Sequence, residues 1–257
     1  MTVLVREAPS DGVVLLRLNR PERLNALNDV LVDALQRTFA ALAAERNVRV
    51  VVLTGTGRGF CSGIDMRGFG PGVPDAADPA IDRLRFQEMM ASLPQAIRAL
   101  PQPVIAAVNG PAVGGGLALC LAADVRICGA SASFANGAIL LGLSGAEMGM
   151  SYHLPRVVGL SVAADWMLTG RTVSATEADR RGLVSEIVES DRLTDRAVEL
   201  AALIADLAPL GVQLTKRALQ VNTDAASLSS ALELENRNQV ISHATDEAAA
   251  RRKKWQS

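Results

Sequence analysis

Apolar residues recur along the chain with two distinct periods. Short runs rich in Val, Ile and Leu occupy residues 13–18, 48–54, 104–108, 125–128 and 184–188, each with the length and β-branching of a buried strand. Between several of them the period lengthens to that of a helix. Leu31, Leu35, Phe39 and Leu42 share one stripe behind Asn28, whose side chain suits an N-cap. Leu84, Met89, Leu93 and Ile97 form a second stripe over residues 81–100, and Pro94 is expected to kink or split that helix. Strands alternating with helices predict an α/β fold.

After residue 188 the pattern is helical to the end. Just before it, Ser174 and Glu177 are spaced as a capping box, and Gly182 marks a stop. Pro209 suits the first turn of a helix that continues through Leu214 and Ala218, and a further helix carries Leu228, Leu232 and Leu234. These last segments bear more apolar surface than a lone tail should, so they are expected to pack on the core or on another subunit. The chain thus divides into a core over residues 1–195 and a C-terminal helical region over 196–257. Residues 67–82, rich in Gly, Pro and Asp, read either as a lid over a site or as a disordered segment.

Composition narrows the field. With 257 residues, 49% of them hydrophobic, the chain can bury one sizeable core. A formal net charge of −1 and an aromatic content of 3% argue against nucleic acid as a partner. Cys61, Cys120 and Cys128 make an odd number without a pairing pattern, which fits a reducing compartment. The N-terminus lacks a secretory apolar core. The longest apolar stretch, 103–125, is interrupted by Asn109, Pro111 and glycines, so it is not expected to span a membrane. A soluble cytoplasmic protein is expected. Its two histidines, His153 and His243, lie far apart, and no Cys/His cluster has ligand spacing, so no metal is expected.

Two glycine-bearing segments carry the candidate chemistry. In one, the apolar run 104–108 leads into Gly114, Gly115 and Gly116 and then into an apolar stretch of helical length. Glycine at a helix entry lets another group approach the backbone, and the first helical N–H groups are free donors with partial positive charge. Such donors suit a phosphate or a developing oxyanion. Tight packing of helix on strand is the alternative reading. In the other, a strand ends in Gly55, Gly57 and Gly59 and proceeds to Gly63, Ile64 and Asp65. No Gly-Lys-Ser/Thr follows, and Phe60 stands where a dinucleotide fingerprint needs its third glycine. Two such loops can supply the two donors that a thioester oxyanion needs.

The ordered series Asn19-Arg-Pro-Glu-Arg-Leu-Asn-Ala-Leu-Asn28, Gly59-Phe-Cys-Ser-Gly-Ile-Asp65, the 103–124 segment, Leu154-Pro-Arg-Val-Val-Gly159 and Leu168-Thr-Gly-Arg171 resembles the successive signatures of the crotonase superfamily, which includes enoyl-CoA hydratases and isomerases. The resemblance covers nearly the whole chain. It implies a spiral of β-β-α units with C-terminal helices that build a homotrimer or a dimer of trimers. It implies an acyl-CoA substrate, with no cofactor beyond the coenzyme A of the substrate itself. The backbone N–H groups of Ile64 and Gly115 would point at the thioester oxygen. Arg23, Leu24, Ala26, Cys61, Ser62, Gly63 and Asp65, with Gly114 and Ala138, would line the substrate channel.

The choice of reaction needs an acid or base beside the substrate's α and β carbons. At the positions of the two glutamates that hydratases of this family carry, the chain has Ala118 and Ala138. Neither transfers a proton. The best replacement is Glu147, in a segment resembling the place where dienoyl-CoA isomerases keep a catalytic aspartate. The aspartate of aromatic acyl-CoA dehalogenases serves from a neighbouring position, although their tryptophan site is Ala138 here. Among Leu, Ala, Met and Gly, the Glu147 carboxylate is expected to have a raised pKa; a surface glutamate is the plain alternative. His153 and Cys61 are weaker candidates, Asp65 and Asp124 read as braces for their loops, and the basic run at residues 251–254 reads as a solvated helix end. The expected function is proton shuttling by Glu147 on an acyl-CoA, as in double-bond isomerisation. Hydration or hydrolysis through a bound water, and acyl-CoA binding without turnover, are the rivals.

Overall fold

The computed structural model describes residues 2–67 and 79–256. Most of the 67–82 segment expected as a lid therefore lies outside the described residues. Strand β1 (Leu4–Ser10) pairs antiparallel with β2 (Val13–Leu18), and β3 (Val50–Gly55), β4 (Val104–Val108), β6 (Val125–Gly129) and β9 (Glu186–Val188) follow in parallel. A second, smaller sheet joins β5 (Pro111–Val113), β7 (Ser133–Ala135) and β8 (Val173–Ser174). The expected mixed α/β architecture is present. Strand β1 and the short strands of the second sheet escape the periodicity. Most of β1 is an exposed polar edge, and three-residue strands are too short to show a period.

The chain alternates between the two sheets, and this alternation makes the spiral. Strand β2 in the main sheet leads to a parallel bridge at Leu27 and then to α1 (Asp29–Ala44). After β3 come parallel bridges at Cys61 and Ile64, and later α2 (Pro79–Ala99). Next β4 leads to β5 and α3 (Gly115–Ala122), and β6 to β7 and, further on, α4 (Met150–Val158) and α5 (Leu160–Thr169). Each unit is strand, short strand or bridge, then helix.

Both faces of the main sheet are covered. Val13, Leu15, Val50, Val52, Ile105, Ala107 and Ile127 face one way, onto Leu193, Ala197 and Ala201 of α7 (Leu193–Ala205). Val14, Leu16, Val51, Leu53, Ala106 and Val108 face the other way, into a core shared with α1, α2 and α3. This alternation is the period-two pleat, and burial on both sides is why the runs read as continuously apolar. The expected division at 195/196 falls inside α7, which packs on the sheet as part of the core.

Local capping follows expectation at two helices. The Asn28 side chain accepts from Leu31 N at 3.0 Å, and Ser174 Oγ accepts from Glu177 N at 3.2 Å at the head of α6 (Ala175–Arg180). The Glu177 carboxylate pairs with Arg171 instead of closing the capping box. Two expectations for α2 need correction. The helix is not split at Pro94, because buried Met90, Leu93 and Ile97 hold both sides of the proline against the core. Leu84 is 59% exposed, and Met90 takes the buried place instead.

The remaining helices are α8 (Pro209–Asn222), α9 (Leu228–His243) and α10 (Asp246–Gln256). Helix α9 buries no residue, and Leu228, Leu232, Val240 and Ile241 are all exposed, so its apolar surface does not pack on this chain's own core. Helix α8 is anchored by one buried cation. Lys216 Nζ lies 2.8 Å from Asp124 Oδ2 and donates to the Gln102 carbonyl at 2.8 Å, while Asp124 accepts the Val104 N–H at 2.8 Å. Removing one partner of a buried pair leaves the other charge uncompensated. Lys216→Met is therefore expected to cost about 2–3 kcal/mol in urea unfolding, the nearby Arg98 softening the loss; an unchanged midpoint would show that the pair anchors nothing.

Candidate active site

The two candidate donors come from adjacent turns of the spiral. At the Leu27–Ile64 bridge, Leu27 N donates to Gly63 O at 2.7 Å and Asp65 N donates to Leu27 O at 2.9 Å. A parallel bridge uses the peptides flanking its central residue, so the Ile64 N–H is directed to the opposite side. Gly115 opens α3, where the first N–H groups have no intrahelical acceptor. Among the described residues neither the Ile64 N–H nor the Gly115 N–H makes a hydrogen bond.

The surrounding backbone tolerates no side chains. Gly63 has φ +91°, and a Cβ there would stand 2.9 Å from the Val113 carbonyl oxygen and 3.6 Å from the Gly115 nitrogen. Gly114 has φ +51°, and a Cβ on it would lie 4.0 Å from the Gly63 Cα. The two strand-end loops thus meet at backbone contact. On Gly116 a Cβ would fall 2.0 Å from the Cys61 carbonyl oxygen, which itself accepts the Val113 N–H at 2.9 Å.

Glu147 arrives at this junction from the segment between the short 3-10 helix Ala138–Leu141 and α4. Its Oε1 lies 3.7 Å from the position of a Cβ on Gly114. The side chain is half-buried, has no ion-pair or hydrogen-bond partner among the described residues, and faces a cavity of about 490 Å³. Burial alone pushes its carboxyl above the usual glutamate range, since desolvation disfavours the charged form. The next residue, Met148, holds a left-handed φ of +47° and is buried against Gly115.

The other sequence candidates are sorted by their placement. Ala118 is fully buried in α3, and Ala138 is 7% exposed at the head of its short helix. Cys61 is turned wholly into the core with its thiol pushed up to about 12 by burial, so it is neither a nucleophile nor a channel-facing side chain. Arg23, Leu24 and Ser62 are half-buried and Ala26 is buried on the facing loop, where Ser62 N donates to Leu24 O at 3.0 Å. Asp65 braces its loop as expected: it pairs with Arg20 at 2.7 Å, which holds its carboxyl below the ordinary range. His153 is pushed down to about 4 by burial and by Arg98, Arg126 and Arg156, and it lines a different cavity from Glu147. No group of His, Cys, Asp and Glu among the described residues could hold a metal ion. No single helix among them is long and apolar enough to cross a membrane.

Three supporting residues were not singled out from the sequence. Arg20 donates to the Ala26 carbonyl as well as to Asp65. Asn25, fully buried at φ +57°, donates to Gly59 O at 2.8 Å and Thr56 O at 3.0 Å and accepts Arg20 N at 2.8 Å. Asn136 holds the Gly145 carbonyl at 2.7 Å, two residues before Glu147. An asparagine amid a Pro-Glu-Arg turn was the available signal for Asn25, because asparagine tolerates the left-handed region.

The spiral fold agrees with what the chain resembles among known proteins. The model of the enoyl-CoA hydratase/isomerase family matches residues 8–255. A relative in Mycobacterium leprae described as "Probable enoyl-CoA hydratase echA12" is 45% identical over 241 residues, 93% of this chain and 82% of its own. The 1,2-epoxyphenylacetyl-CoA isomerase of Escherichia coli is 36% identical over 226 residues, 87% of this chain and 84% of its own. A crystal structure of a probable enoyl-CoA hydratase/isomerase from Mycobacterium abscessus superposes with a TM-score of 0.89 at 40% identity, covering 98% of this chain and 96% of that one. The chain belongs to the enoyl-CoA hydratase/isomerase family and has its crotonase fold. It is an enzyme of that family, whose members include both hydratases and isomerases.

At Gly63 a side chain meets both a left-handed φ and the Val113 carbonyl. Gly63→Ala is expected to lower unfolding stability by about 1–3 kcal/mol, read from a urea titration; a wild-type midpoint would show that the loop relaxes freely.

Proposed function

We propose that this enzyme isomerises a double bond in an acyl-CoA, with Ile64 N–H and Gly115 N–H on the thioester oxygen and Glu147 as the proton carrier. The observation that supports this most is the Glu147 carboxylate beside Gly114, desolvated and without a partner among the described residues. Two donors on the carbonyl oxygen acidify the adjacent C–H and stabilise the enolate. In this reading Glu147 takes the proton from the α carbon of a 3-enoyl thioester, and the resulting dienolate accepts it back at the γ carbon. The electrons stay within the substrate, so the step calls for no redox cofactor. Adding water asks for a second group to position it, and Ala118 and Ala138 offer none. The Arg23–Ala26 side and residues 61–65 are proposed to hold the coenzyme A portion. A homotrimer or a dimer of trimers, in a soluble cytoplasmic enzyme, would cover the exposed apolar residues of α8 and α9.

The reaction is read by mass spectrometry and ultraviolet absorbance on 2-enoyl-, 3-enoyl- and dienoyl-CoA. An absorbance change at constant mass is expected with wild type, and a loss of at least about 100-fold in rate with Glu147→Gln. A mass gain of water would make the reaction hydration, and full activity in the glutamine variant would remove Glu147 from the mechanism.

The pH profile has a definite sign. The base form is the carboxylate, so activity rises with pH, and its ascending limb is expected above the ordinary glutamate value of 4.5 because burial raises this group. A limb at or below 4.5 would contradict the desolvated base.

A further inference from the structure

Two cavities share Met148. The one of about 490 Å³ holds Glu147, and the other, of about 400 Å³, is lined by Arg98, His153, Gln95 and Gln220. Ala91 and Met148 line both. Met148 Sδ lies 3.3 Å from where a Cβ on Gly115 would stand. Leu27 Cδ1 stands 3.0 Å from the same position, so Leu27 and Met148 together wall the site at the Gly115 N–H. An unbranched thioether with three rotatable bonds is easily displaced, so Met148 is an adjustable partition.

The second cavity is not a hydrocarbon sink. Arg98 is the one charged residue lining it among the described residues, and its guanidinium is only loosely held, 3.7 Å from Asp124. Asp124 already has Lys216 at 2.8 Å. Arg126 lies near the same carboxylate but donates only to the Ala123 and Leu183 carbonyls. Three cations thus stand around one carboxylate, and the excess is positive. Burial, helped by Arg98, Arg126 and Arg156, keeps the His153 imidazole neutral at physiological pH, where it both donates and accepts hydrogen bonds.

We propose that this cavity is a subsite for a carboxylate at the far end of the acyl group, with Arg98 as its counter-charge, His153 as a hydrogen-bonding partner and Met148 as the partition. The favoured substrates are then ω-carboxyacyl-CoA thioesters. From Ala91 to Arg98 helix α2 rises about 10 Å, so a medium-length chain is needed to bridge the cavities. The subsite rests on the thioester lying at Ile64 and Gly115. A carboxylate on a guanidinium makes a charge-assisted hydrogen bond, roughly twice as strong as a neutral one. A methyl group brought to the same place gains nothing from it.

The test uses unreactive saturated thioesters in calorimetric titrations of the whole protein: octanoyl-CoA against its ω-carboxylated counterpart suberyl-CoA, and hexanoyl-CoA against adipyl-CoA. Wild type is expected to prefer suberyl-CoA over octanoyl-CoA by about 10-fold or more. Arg98→Met should bring that ratio to about one, and Arg98→Lys should keep part of it, which a merely structural role would not reproduce. A wild-type ratio of one, or a ratio unaltered in Arg98→Met, overturns the subsite. Should Arg98→Met not fold, the wild-type ratio and Arg98→Lys decide. Failure to bind any of the four thioesters would overturn the acyl-CoA reading as well, whereas binding without preference overturns the subsite alone.

Discussion

Two backbone amides without acceptors among the described residues are the constraint around which this molecule is organised. A buried N–H left unpaired costs free energy comparable to a lost hydrogen bond, so such groups are rare. Here they arise from the geometry of the fold. The parallel bridge at Leu27 engages the peptides on either side of Ile64 and leaves its own N–H facing away. The start of α3 leaves the Gly115 N–H without a helical partner. Adjacent turns of the spiral bring the two together, and the glycines at 63, 114 and 116 keep their backbones in contact.

Charge is distributed so that the amides and Glu147 are not neutralised from within. Asp65, the nearest acid in sequence to Ile64, is committed to Arg20. Cys61, beside the same loop, is held as a neutral thiol by burial. Glu147 faces a cavity without a cation to pair with among its lining residues, and burial raises its carboxyl above the ordinary glutamate range. Desolvation is destabilising for the fold and, in the proposed mechanism, productive for proton transfer. The positive excess lies on the far side of Met148, around Arg98, away from the two amides.

Much of this was legible in the chain's own pattern. The five apolar runs sit on or within a residue or two of strands of the main sheet, because strands buried on both faces have no polar alternation to blur them. Asn28 and Ser174 cap helices as their types predict. The second sheet was not legible, since its strands are two or three residues long and Pro111 reads as a turn. Helix α2 misled in detail: Leu84 fits the helical stripe yet is exposed, and Met90 is fully buried beside a half-buried Met89, a shift that periodicity over a weakly amphipathic segment does not resolve. At the site, Gly63 and Gly114 stood out by type and spacing, and Glu147 through the resemblance of its segment to the place where dienoyl-CoA isomerases keep an aspartate. Arg20, Asn25 and Asn136 did not, because their work is done through contacts 5 to 45 residues away.

The central claim is that Ile64 and Gly115 polarise a thioester carbonyl, and isotope-edited infrared difference spectroscopy tests it most directly. With a saturated acyl-CoA carrying a carbon-13 label at the thioester carbonyl, two amide donors predict a shift of the stretch to lower frequency on binding. The shift should persist in Glu147→Gln, since it arises from the backbone and not from the proton carrier. A bound thioester whose carbonyl absorbs where it does in water would contradict the account.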